Sequence, residues 1–181
     1  MYTDRTLLPK ECLRLCALGT LALSKKPVSY ADLANSVRHF TAHLMGPSLD
    51  MMGSSLQLLK LEGLVHEDNG NGVLPDSRLT LTDAGYTKFI DLMQGNLRDM
   101  SGELSRLVMA LKMRFVHLLA DDIRREQIEI LQDVCEVELD RLLTLREEHA
   151  DEPGAFLGWL DVEINSLERK HAWLVSLLAQ D

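Results

Sequence analysis

The sequence predicts a mostly α-helical protein with one small β-hairpin, and three observations predict it. Leu7 to Leu23 is a strong apolar stretch long enough for a buried helix, and Met52, Leu56 and Leu59 recur at helical spacing. Asn69-Gly70-Asn71-Gly72, between the short runs Leu64-Val65-His66 and Arg78-Leu79-Thr80-Leu81, is the strongest turn signal in the chain. Leu157, Leu160, Ile164, Leu167, His171, Leu174 and Leu178 step by three and four throughout, a heptad-like seam that favours helix–helix packing.

Taken in order, Leu7 to Leu23 reads as a buried helix. Pro9 suits its first turn, where a missing N–H costs nothing, and Lys25-Lys26-Pro27 breaks it. Ser29 caps a second helix, with Asp32 at the third position. Leu33, Ala34 and Val37 share one face, and Arg38 and His39 stand near its end. A third helix is expected over Ser48 to Glu62, with Met52, Leu56 and Leu59 inward and Gly63 as its stop. The hairpin follows, and Thr82 caps a fourth helix, Asp83 to about Met93. Three long helices then occupy 97–119, 122–149 and 155–180, punctuated by Asp121-Asp122 and Asp151-Glu152-Pro153-Gly154. Helix, helix, helix, hairpin, helix is the winged helix–turn–helix order. The chain is therefore expected to divide into a winged-helix domain, 1–95, read as DNA-binding, and a helical domain, 96–181, read as a dimerisation domain.

Composition narrows the class. The 181 residues are 46% hydrophobic and 26% charged, ordinary for a soluble fold, and aromatics at 5% leave Leu and Met to do the packing. No segment approaches the roughly 20 apolar residues of a membrane span, and the N-terminus lacks the apolar core of a secretory signal. Three cysteines, an odd number, give no disulfide framework. A cytoplasmic protein with reduced thiols is expected. The net charge of −9 is unevenly spread. Residues 1–90 carry nine basic and nine acidic side chains, and residues 91–181 carry ten and nineteen. The neutral half can bind phosphate locally with weak long-range steering; the acidic half is a poor partner for nucleic acid.

Three segments resemble a known family. Leu56-Gln57-Leu58-Leu59-Lys60-Leu61-Glu62-Gly63-Leu64-Val65 resembles the exit of the recognition helix in winged regulators. Arg78-Leu79-Thr80-Leu81-Thr82-Asp83-Ala84-Gly85 resembles the strand-to-helix phrase that ends their wing. The acidic, Leu-rich helices with Trp159-Leu160 and His171-Ala172-Trp173-Leu174 look like the dimerisation region of PadR-family regulators, in particular the virulence-activator, AphA-like branch. The Leu-Tyr-Pro-Ala-Leu phrase usual in a PadR recognition helix is replaced here by Met52-Gly53-Ser54-Ser55-Leu56. The resemblance implies a homodimeric transcription regulator that binds double-stranded DNA, with a small-molecule effector or a second regulator as a further partner and no cofactor.

The residue-level expectations follow. A winged module places its third helix in the major groove and its hairpin on the adjacent backbone. Ser54 and Gln57 on the outward side, Ser48 at the helix start, Asn71 at the wing tip and Arg78 at its base are the candidate DNA contacts; Ser, Asn and Gln can bond bases or phosphates. Leu58 and Leu61, also outward, are expected to pack against another part of the protein. Leu160, Ile164, Leu167, His171 and Leu174 are the candidate dimerisation residues. Cys12 with Cys16 and His39 with His43, each four apart, have the spacing of a Cys2His2 zinc site, but buried thiols in a Leu-rich helix are the plainer reading. No metal site is therefore expected. His171 is read as a hydrogen-bonded core histidine, and Trp159 and Trp173 as core or interface filling. No Walker loop, Gly-x-Ser-x-Gly, Cys-x-x-Cys or His-Glu-x-x-His occurs, so no enzyme is expected. The rival reading is a winged-helix protein-interaction module without DNA binding.

Overall fold

A computed structural model describes residues 5–45, 52–68 and 77–179, and of 52–55 the backbone alone. The elements run α1 (Pro9–Leu23), β1 (Val28–Ser29), α2 (Tyr30–Met45), α3 (Met52–Leu61), β2 (Val65–Glu67), β3 (Arg78–Leu81), α4 (Asp83–Met93), α5 (Glu103–Phe115), a single 3-10 turn (Val116–Leu118), α6 (Asp121–Glu148) and α7 (Phe156–Leu178). The chain is thus mostly helical with a small antiparallel sheet, the predicted class.

The first helix starts as its sequence dictates. Pro9 takes the first position, and the Glu11 carboxylate accepts the Leu8 N–H at 2.8 Å. Its residues Cys12, Leu13, Leu15, Cys16, Ala17, Leu18, Gly19 and Leu21 are buried, more than one face can hold. That is because α2, α3, α4, α5 and β3 all pack against it. The Ser29 hydroxyl accepts the Asp32 N–H at 3.0 Å, as the capping pattern requires. The second helix does not stop near His39. It runs to Met45, because no Gly or Pro interrupts it before Gly46-Pro47.

Helix α3 ends at Gly63, whose φ of +70° is open to glycine at little cost. The Gly63 N–H reaches the Lys60 carbonyl (3.0 Å) and the Leu64 N–H reaches Leu59 (2.9 Å), a Schellman ending. The chain leaves this turn directly into β2. The sheet has the order β1-β3-β2, with Val28 opposite Leu79 and Val65, His66 and Glu67 opposite Leu81, Thr80 and Leu79. Strand β1 was not foreseen. Two residues show no alternation, and their strand character comes from pairing with β3 alone.

The Thr82 hydroxyl accepts the Gly85 N–H at 3.0 Å and starts α4. Residues 97–102 were expected to be helical and are not. The Asp99 carboxylate accepts the Ser101 and Gly102 N–H groups (3.1 and 2.7 Å), offering the backbone a turn in place of a helix. By its contacts the chain forms two compact units, Met1–Asn96 with Glu103–Leu119, and Leu97–Gly102 with Ala120–Asp181. Helix α5 therefore packs with the winged portion, against α1 and α2, and Phe115 meets Phe89 edge-on at 5.9 Å. A boundary at residue 95 leaves α5 on the other side. The second unit is the antiparallel pair α6 and α7. Ile128, Leu131 and Cys135 of α6 and Leu160, Ile164, Leu167 and Leu174 of α7 are its buried apolar residues, beside the buried Gln127 and Glu138 of α6, each large aliphatic worth about 1.5–3 kcal/mol of burial.

Candidate DNA-binding face

Helix α3 buries Leu56 and Leu59 against the unit and turns Gln57, Leu58 and Leu61 to solvent. Gln57 is exposed, as expected of a contact residue. Ser54 lies on the α3 backbone, and its side chain is outside the described residues, as are Ser48 and Asn71. Leu58 and Leu61 are not buried among the described residues. They are 43% and 81% exposed, because the helix has one inward stripe and they fall opposite it.

Arg78 is exposed at the base of the wing. Its guanidinium donates to the Pro27 carbonyl at 3.3 Å, and its strand pairs with Ser29 at the start of α2. The Tyr30 N–H reaches the Ser77 carbonyl (2.9 Å), so the wing base and the start of α2 are tied together. Two cations, one on α3 and one on α1, are engaged within the chain. Lys60 Nζ donates to Glu67 of β2, and Arg14 of α1 pairs with Glu62. The hydrogen bond from Lys60 holds the Glu67 carboxyl below its usual range, while its other oxygen, Oε1, is buried without a hydrogen-bond partner. The Lys60–Glu67 pair was not anticipated. Its partners stand seven apart across a helix end, a spacing with no pattern of its own.

Cys12 and Cys16 face the interior, and burial pushes their thiols up to about 12 and about 11. His39 and His43 are exposed with rings 4.2 Å apart, and the His43 Nδ1 lies 2.7 Å from the His39 carbonyl. Among the described residues no three His, Cys, Asp or Glu side chains gather closely enough to hold a metal ion.

In the second unit the five seam residues serve the α6–α7 contact within one subunit. Leu160, Ile164, Leu167 and Leu174 are at most 6% exposed. His171 is half-buried rather than core, its Nε2 2.7 Å from a Glu136 carboxylate oxygen on α6. Arg146 and Asp161 join the same two helices at 2.5 Å; their hydrogen bond raises the arginine's pKa and lowers the aspartate's. The apolar side chains left exposed in this unit include Val137 and Leu143 of α6 and Trp159, Val162, Trp173 and Val175 of α7, with Trp159, Val162 and Trp173 at 54%, 63% and 44% exposure. At about 100° per residue Trp159, Val162 and Trp173 fall within about 60° of one another on α7, Val162 and Trp173 across the helix from the seam and Trp159 at its flank. Among the described residues no helix is long and apolar enough to cross a membrane.

A family described as "Putative AphA-like transcriptional regulator" matches residues 2–178. No curated protein matches the sequence. Among solved structures, Bacillus subtilis PadR in complex with p-coumaric acid is 18% identical, with 97% of this chain and 98% of that one covered and a TM-score of 0.39. The same protein in complex with operator DNA is 20% identical, with coverages of 93% and 98% and a TM-score of 0.36. The smu.1604c protein of Streptococcus mutans UA159 is 16% identical, with coverages of 96% and 99% and a TM-score of 0.38. With a winged helical unit, a paired-helix unit and a family match over nearly its whole length, the chain belongs to the AphA-like family of transcriptional regulators.

Proposed function

We propose that this protein is a sequence-specific DNA-binding regulator that acts as a homodimer. The observation that carries the reading is the arrangement of α2, α3 and the β2–β3 hairpin around a helix whose outward side bears Gln57, in a chain of a transcriptional regulator family. In this reading α3 enters the major groove. Ser54 and Gln57 supply hydrogen bonds there, and Ser48 and Asn71 flank them. Arg78 meets phosphate from the wing base. The DNA-binding domain is residues 1–95, joined by α5 through its packing. The dimerisation domain is the remainder of 96–181. The seam of Leu160, Ile164, Leu167, His171 and Leu174 builds the α6–α7 pair, and that pair presents Trp159, Val162 and Trp173 to a second copy. A small-molecule effector or a second regulator, acting in the cytoplasm, completes the proposal.

The test is competition at fixed salt between the promoter upstream of the protein's own gene and a scrambled copy. Wild type should prefer the promoter, and Ser54→Ala with Gln57→Ala should narrow the gap by about 1–3 kcal/mol per lost base contact while the fold is kept. A wild type without preference across a broad sequence selection ends the regulator reading. The protein-interaction alternative then takes over, favoured by the exposed Leu58 and Leu61.

A further inference from the structure

The segment that would meet DNA is short of positive charge. Between Arg38 and Arg78 the sequence holds one Lys or Arg, Lys60, against Asp50, Glu62, Glu67, Asp68 and Asp76. That cation is bound to its own chain. Lys60, in the last turn of α3, donates to Glu67 at the end of β2. The Lys60 side chain is 39% exposed and the Glu67 side chain 4%, so the ammonium sits at the surface with its carboxylate beneath it.

We propose that Glu67 masks Lys60 and so limits the affinity of the third helix and wing for any DNA. The inference rests on the DNA-binding reading. Protein cations strengthen DNA binding by releasing the counterions condensed on phosphates. An ammonium already neutralised by a carboxylate releases none while the pair persists. If the ammonium moves to a phosphate instead, the stranded carboxylate must be resolvated and gathers a cation of its own. In both cases Lys60 adds little to the salt-dependent part of binding. The third helix is left to act through uncharged contacts such as Gln57, and through whatever holds the protein on DNA elsewhere.

The experiment uses the full chain, fluorescence anisotropy, and the own-promoter and scrambled duplexes over a range of salt. Glu67→Gln should tighten binding to both duplexes several-fold and steepen the slope of log affinity against log salt by roughly 0.9, the value of one phosphate contact. Lys60→Gln should leave the wild-type slope unchanged. The double variant should return to it, which separates unmasking from the general gain of deleting a nearby negative charge. A double variant that keeps the tightening, or a Lys60→Gln protein whose slope falls by about 0.9, overturns the proposal. So does unchanged binding by Glu67→Gln with its urea midpoint intact. Should Glu67→Gln fail to fold, the Lys60→Gln slope alone decides. Absence of measurable binding by wild type and Glu67→Gln alike at low salt removes the DNA-binding reading itself.

Discussion

Lys112 is 2% exposed in the first unit, where its Nζ donates to the Met93 carbonyl at the end of α4 (2.5 Å). A cation suits a helix C-terminus, where unpaired carbonyls gather partial negative charge. Burial nevertheless pulls its pKa from about 10.5 down to about 8. Below pH 8 folded and unfolded chains both carry this proton. Between about 8 and 10.5 only the unfolded chain holds it, so this group makes the fold more stable as pH rises through that window. Cys12 and Cys16 act in the opposite sense above pH 9, since their folded thiols hold protons that unfolded ones lose. The lysine is isolated by comparing wild type with Lys112→Met in urea at pH 7.5, 8.5 and 9.5. The stability difference should shift toward wild type as pH rises; a difference flat with pH removes the account. The thiols give a second prediction at this scale. Being buried and protonated, Cys12 and Cys16 should resist a thiol reagent at neutral pH until the unit unfolds, and fast labelling of either in a native Cys135→Ser chain would contradict their placement.

Among the elements, α4 shows why a short phrase of sequence was informative. Thr82 accepts from Gly85, its own N–H reaches the Leu64 carbonyl at 3.2 Å, and Gly85 lies so close to that carbonyl that a Cβ would run into it. Gly85→Ala should push α4 off the sheet and cost about 1–3 kcal/mol, read as a lower urea midpoint; an unchanged midpoint would mean the contact relaxes freely. Caps, stops and this close approach are local, and local chemistry was legible: Pro9, Ser29, Gly63 and Thr82 all act where their neighbours suggested. What escaped was set by distant residues. Strand β1 exists through its pairing with β3, α2 outlasts its basic end because nothing breaks it, and α5 joins the first unit because Phe115 meets Phe89 there. The candidate site was legible in the same uneven way. Gln57 follows from helical period, whereas the Lys60–Glu67 pair needs the turn at Gly63 to bring its partners together.

For the whole molecule, the question is what a second copy would touch. The seam that looked like a dimer contact from its spacing is consumed inside the subunit, since Leu160, Ile164, Leu167 and Leu174 are all buried with one chain present. With those four positions covered, the seam has only the half-buried Leu157, His171 and Leu178 left to offer a partner. The outer face of α7 still exposes Trp159, Val162 and Trp173, and aromatic anchors of this kind carry a large share of binding energy at interfaces. The two faces therefore predict different failures. Leu167→Asp places an unpaired charge in the buried seam, which costs several kcal/mol, and should melt the α6–α7 pair. Trp159→Ser with Trp173→Ser should leave the helical signal and urea midpoint of the monomer nearly intact but dissociate the proposed dimer, with a concentration-dependent mass in light scattering. DNA binding should weaken with it, because two linked half-sites lose the gain of simultaneous engagement. A folded Leu167→Asp dimer would mean the seam is not the core of the pair. A tryptophan double variant that remains dimeric at low concentration would move the interface off the outer face of α7.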